Sequence, residues 1–135
     1  HSDPGIRHYS GSAIYRKTFE IPDPPLTPHA SRFILALGEV RDLAIVRVNG
    51  RECGTLWLAP WKIDLTSVLR PGVNELEIEV INVWNNRLVG DQTLPPDLRR
   101  TFLLAPTVSR DTPLLPGGLL GPVRLRVETN QVLSL

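Results

Sequence analysis

At 135 residues, with 41% apolar and 21% charged side chains, the chain has the size of one domain with a single hydrophobic core and is too apolar for disorder. Fifteen basic against fourteen acidic residues leave a net charge of +1 without a basic stripe, which argues against a nucleic-acid partner. No apolar run approaches the ~20 residues of a membrane-spanning helix, and the single cysteine, Cys53, excludes an internal disulfide without fixing a compartment.

From Ala13 to Ile21, Ala13, Tyr15, Phe19 and Ile21 share one face, interrupted by Lys17, while Arg16, Thr18 and Glu20 take the other. This is the pattern of a half-buried strand. The proline-rich stretch Pro22-Asp23-Pro24-Pro25 with Pro28 reads as a loop. Phe33, Leu35 and Leu37 predict a second strand ending near Gly38. Leu43 to Val48 is apolar except for Arg47 and runs into Asn49-Gly50, the strongest short hairpin signal because both residues tolerate positive φ. The returning strand covers Arg51 to Leu58, with Gly54 placed for a bulge.

Asp64 to Leu69 reads as one capped helical turn, stopped by Pro71-Gly72. Asn74 to Trp84 is the longest strand predicted. Leu76, Ile78 and Val80 face one side, and Glu75, Glu77 and Glu79 form a solvated face opposite. Ile81 and Val83 make both faces apolar, which predicts cover on both sides at the far end. Gln92 to Gly118 holds five prolines and no sustained period. Val123, Leu125 and Val127, alternating with Arg124, Arg126 and Glu128, predict a closing strand. About eight short strands and one helical turn make an all-β sandwich.

No nucleophile, imidazole and carboxylate stand in a recognisable catalytic order, and Tyr9-Ser10-Gly11-Ser12 is not a nucleophile elbow. The three histidines and one cysteine lack zinc spacing. Structural calcium needs six to eight oxygens; Asp23 and Asp42 are its candidate ligands, without a dense carboxylate ladder around them. Gly117-Gly118-Leu119-Leu120-Gly121 lacks the lysine of a phosphate loop and reads as a tight strand entry. Trp84-Asn85-Asn86-Arg87 with Asp91 combines an indole face for sugar C–H groups with amide and guanidinium partners for hydroxyls, and Trp57 and Trp61 end a neighbouring hairpin. The same residues suit plain structural duty: indoles as core or rim fillers, asparagines bonded to turn backbone, Arg87 paired with Asp91.

Gly5 to Phe19, Val48-Asn49-Gly50 with Gly54-Thr55-Leu56-Trp57, Asp64-Leu65-Thr66, Gly72 to Leu76, Asn82 to Asp91 and Gly117 to Val123 together resemble the galactose-binding-like jelly roll. The match is similar to the sugar-binding domain of family 2 glycoside hydrolases and to the C-terminal domain of family 106 α-L-rhamnosidases. The resemblance implies a non-catalytic accessory domain, excised from a larger multidomain glycoside hydrolase, that binds carbohydrate or positions substrate. The alternative it leaves is a structural domain that packs its Trp84–Asp91 rim and its Leu114–Leu120 loop on a catalytic module. It further implies a plant or microbial polysaccharide and the catalytic domain of the same chain as partners, a periplasmic or secreted setting, and no cofactor beyond a structural calcium. It places the Arg7-His8-Tyr9 and Gly90-Asp91 segments toward a neighbouring catalytic pocket, adding His8 and Tyr9 to the carbohydrate-facing set.

Overall fold

A computed structural model describes residues 1–22, 31–105 and 107–129. Asp23 and most of the proline-rich stretch lie outside the described residues. Among the described residues there are nine strands: β1 (Ser12–Ile21), β2 (Ser31–Ala36), β3 (Glu39–Arg41), β4 (Leu43–Val48), β5 (Arg51–Leu56), β6 (Lys62–Asp64), β7 (Gly72–Ile81), β8 (Gly118–Gly121) and β9 (Arg124–Thr129). Two short helices, α1 (Pro4–Arg7) and α2 (Asn85–Asp91), and a 3-10 turn (Pro96–Leu98) complete the elements. All pairings are antiparallel: a four-stranded sheet in the order β1-β7-β4-β5, a three-stranded sheet β6-β2-β9 and a ribbon β3-β8. The all-β sandwich expected from strand alternation is the architecture found.

The core follows from period-two alternation. Ala44, Val46 and Val48 of β4 and Leu76, Ile78 and Val80 of β7 turn inward, meeting Leu35, Leu37, Val40 and Leu65. Burying each such aliphatic side chain stabilises the fold by roughly 1.5–3 kcal/mol. The opposite face of the large sheet carries charge. Arg16, Glu77, Arg47 and Glu52 pair in one row across its four strands. Arg47 Nη1 lies 3.0 Å from both Glu77 and Glu79, and Arg16 lies 2.8 Å from Glu77. Glu77 and Glu79 are thus half-buried in an ion-pair ladder, while Glu75 stays exposed as expected.

Asn49 and Gly50 adopt φ of 51° and 76°, the doubly positive turn that matches the twist of the flanking strands. The bulge falls where Val46 pairs with Gly54 and Arg47 with Glu52, leaving Cys53 as the extra residue. Behind the hairpin lies Asn74, fully buried. Its Nδ2 donates to the carbonyls of Arg70 (2.7 Å) and Gly72 (3.0 Å), and its Oδ1 accepts from Asn49 Nδ2 (2.9 Å) and the Arg70 amide (3.1 Å). Asn74→Ala orphans several buried groups and is expected to cost about 3 kcal/mol, read as a lowered urea midpoint at unchanged slope.

The expected helical turn exists as Leu65 to Leu69, with the Leu69 amide donating to the Leu65 carbonyl. Asp64 ends β6 and caps the turn, accepting from the Thr66 amide (2.9 Å) and hydroxyl (2.6 Å). Its other oxygen accepts from Arg32 Nη2 at 2.7 Å, tying β6 to β2. The Thr66 bonds, then Arg32, hold the carboxyl down at about 2. Because the folded pKa lies below the unfolded one, this contribution is full above the ordinary carboxylate range and is lost as pH falls through about 2. Asp64→Asn is therefore expected to flatten the loss of thermal stability between about pH 4 and 2.

Three differences from expectation have physical causes. β7 stops at Ile81, where its ladder partners Ser12 and Leu43 begin, so Val83 and Trp84 emerge exposed instead of covered. Residues 85–91 form α2 rather than a loop. The closing strand begins at Arg124, leaving Val123 outside it and exposed; within β9 Leu125 packs on the core, whereas Val127 is exposed on this edge strand.

Candidate functional site

The site is built where β7 ends. Asn82, its first residue past the strand, donates from Nδ2 to the Tyr9 carbonyl (3.0 Å) and accepts at Oδ1 from the Gly11 amide (2.9 Å), fastening the N-terminal segment to the sheet. The chain then enters α2. Asn86 faces the 113–116 loop and bonds the Leu115 backbone twice, donating to its carbonyl (2.7 Å) and accepting from its amide (2.8 Å). Asn85 donates weakly to Asn86 Oδ1 (3.3 Å) and the Pro113 carbonyl (3.5 Å).

Asp91, at the other end of α2, is fully buried. Its Oδ2 accepts from the Thr101 hydroxyl (2.6 Å), the Thr101 amide (2.8 Å) and the Arg100 amide (3.0 Å). Its Oδ1 lies 2.8 Å from Arg87 Nη2, an ion pair without an aligned hydrogen bond. Burial pushes the carboxyl up, but the two Thr101 bonds, the Arg87 charge and the Arg100 amide outweigh it and hold it below the ordinary range. Asp91 thereby clamps the backbone of residues 100–101 against α2.

His8 packs on Gly90: a Cβ there would sit 2.6 Å from His8 Cγ and 2.7 Å from its Cβ, so only glycine admits this contact. Burial and the charges of Arg7 and Arg87 lower the His8 pKa, against Asp91, which leaves the ring neutral near pH 7. The N-terminal segment and the end of α2 are thus in direct contact.

Two concavities flank α2. One, of about 380 Å³, is lined by Ser10, Trp84, Arg87, Leu88 and the segment Arg100 to Leu103. The other, of about 540 Å³, runs between the N-terminal segment and the 114–118 loop and includes Tyr9 and Asn86. The structure therefore divides the predicted set. Trp84 and Arg87 share one concavity, Tyr9 and Asn86 the other; His8 and Asp91 line neither, His8 packing on Gly90 and Asp91 holding the wall of the first from behind. Trp57 stands at the same end of the large sheet, 75% exposed and two strands from β7, and lines neither. Trp61 packs against the core while its carbonyl accepts from Leu37.

Asn82, Arg100 and Phe102 were absent from the predicted set. Asn82 carried no distinguishing sequence signal, and the other two sit in the aperiodic stretch. Asp42 accepts from the Val83 amide at 3.0 Å. Among the described residues no cluster of three or more His, Cys, Asp or Glu side chains is arranged to hold a metal ion.

Residues 7–105 match the family of glycosyl hydrolase 2 galactose-binding domain-like sequences. A putative beta-glucuronidase of Formosa agariphila is 36% identical over 91% of this chain, which covers 12% of that protein. Among solved structures, a rhamnosidase from Novosphingobium sp. PP1Y matches 95% of this chain at 43% identity and a TM-score of 0.84, again over 12% of its own length. A beta-glucuronidase from an uncultured Clostridium sp. matches 62% of the chain at 26% identity and a TM-score of 0.52, over 14% of its length. The chain spans about an eighth of the length of these relatives. With the matched family covering most of the sandwich and α2, this chain belongs to the galactose-binding-like domain family of family 2 glycoside hydrolases.

Proposed function

We propose that this domain is a non-catalytic accessory module of a larger glycoside hydrolase, and that it braces the rest of that polypeptide through the 540 Å³ groove. The carrying observation is that Asn82, Asn86 and Tyr9 in the groove's lining are already paired within the domain. Asn82 holds Tyr9 and Gly11, Asn86 holds Leu115, and the Tyr9 hydroxyl donates to the Ser12 carbonyl at 2.6 Å. Ile6, Leu114 and Leu115 remain exposed along it. Sugar recognition needs unoccupied donors and acceptors; an apolar groove without them suits a protein surface. The relatives, some eight times longer, supply a model for the occupant: a neighbouring module of the same polypeptide.

The test compares the domain alone with the full-length polypeptide that carries it. Ile6→Ser with Leu115→Ser should lower the thermal midpoint of the full-length protein by several degrees while shifting the isolated domain little, since both side chains are exposed there. Equal shifts in both would contradict the brace, and hydrolysis of aryl glycosides by the isolated domain would contradict the non-catalytic assignment.

A second reading, direct contact with the polysaccharide that the parent enzyme degrades, is favoured at the other concavity. There Trp84 and Phe102 are 69% and 85% exposed beside Arg87. A periplasmic or secreted enzyme is the natural setting for either role.

A further inference from the structure

We infer that the 380 Å³ pocket between α2 and residues 100–103 is a receptor for an acidic sugar, one carrying a carboxylate or sulfate on its ring. The inference rests on the sugar-contacting reading of that pocket and is separate from the brace at the groove.

Three observations carry it. The first is charge. Arg87 and Arg100 both line the pocket, and the carboxylate nearest them, Asp91, is buried behind the wall with its second oxygen saturated by three hydrogen bonds. Among the described residues the Arg100 guanidinium makes no ion pair or hydrogen bond. Arg87 gives one terminal nitrogen to Asp91, while its Nε is buried without a hydrogen-bond partner. Two guanidiniums against one carboxylate leave a net positive wall, and the planar guanidinium fork suits an oxyanion.

The second is shape and surface. Trp84 and Phe102 stand at the same pocket with most of their surface in solvent, although apolar rings of this size gain by burial. An indole offers a flat apolar face to the C–H side of a pyranose, and the Ser10 hydroxyl sits in the same lining. The volume falls at the small end of ligand sites, which fits one ring rather than a long chain.

The third is preorganisation. Asp91 both pairs with Arg87 and holds the Arg100–Thr101 backbone, so the Arg87 guanidinium and the backbone that carries Arg100 and Phe102 are in place before any ligand arrives.

The experiment is an NMR titration of the isolated domain with sodium glucuronate, glucose 6-sulfate and glucose, following the three tryptophan indole N–H signals. The expected result is a shift of the Trp84 signal, not of Trp57 or Trp61, with the charged sugars binding at least about tenfold tighter than glucose and more weakly at high salt. Comparing glucuronate with the sulfate tells which oxyanion fits better. Arg100→Ala, whose side chain holds no other group, should abolish the preference for the charged sugars while the domain stays folded. Equal shifts with glucose would overturn the acidic-sugar inference alone, because the pocket would still be a sugar site. No movement of the Trp84 signal with any of the three up to about 50 mM would overturn the sugar-contacting reading with it. Neither outcome touches the brace, which is read from the full-length thermal midpoints.

Discussion

Gly38→Ala is expected to be the most damaging single-methyl change in the domain. Gly38 links β2 to β3 at φ +73°, and a Cβ there would lie 2.3 Å from the Gly121 carbonyl carbon and 2.7 Å from the Pro122 nitrogen. These are backbone atoms of the β8–β9 connection and cannot rotate aside. The left-handed conformation alone costs an L-residue about 1–2 kcal/mol; separating the β3–β8 ribbon to relieve the clash adds to it. The sum should exceed about 3 kcal/mol and lower the thermal midpoint by roughly 10 °C. Gly50→Ala is the control, with φ +76° and nothing within 4 Å of its Cβ. It should cost only the conformational part, about 1 kcal/mol. Equal losses in the two variants would show that the close approach to Gly121 carries no energy of its own.

Asp91→Ala is expected to cost about 3–5 kcal/mol, the range for removing one partner of a buried ion pair. It strands the half-buried Arg87 and orphans the Arg100 amide, the Thr101 amide and the Thr101 hydroxyl together. Residues 92–105 contain one 3-10 turn and no strand, so this clamp is a main tie between them and the sandwich. Limited proteolysis should accordingly open new cleavage sites between Arg99 and Leu104 in the variant before the sheets unfold. A stability within about 0.5 kcal/mol of the parent domain would contradict the clamp.

The same residues show why some of this was legible in the sequence. β7 declares itself because Leu76, Ile78 and Val80 alternate with Glu75, Glu77 and Glu79, and β4 because an apolar run leads straight into a turn signal. Asn49-Gly50 declares its turn because few other residue pairs adopt two positive φ values in succession. β3 and β6, three residues each, are too short to display a period. α2 is seven residues long, contains Gly90 and buries only Val89, Gly90 and Asp91, so no helical stripe marks it. The rim composition around Trp84 was visible, but the use made of each residue was not. Asn86 could have faced a ligand as readily as Leu115; the choice depends on where a distant, aperiodic loop returns. Arg100 and Phe102 acquire meaning through Asp91, nine and eleven residues away and at the end of α2, a link that local patterning does not encode.

A sandwich that acts as a brace has its apolar groove covered in the full-length polypeptide, and hydrogen–deuterium exchange of the domain alone and within that polypeptide measures the cover. Slower exchange in the full-length protein is expected for the amides of residues 6–13 and 114–118, which border the groove, with the β4 and β7 core amides unchanged. Identical exchange at the groove in both forms would contradict it.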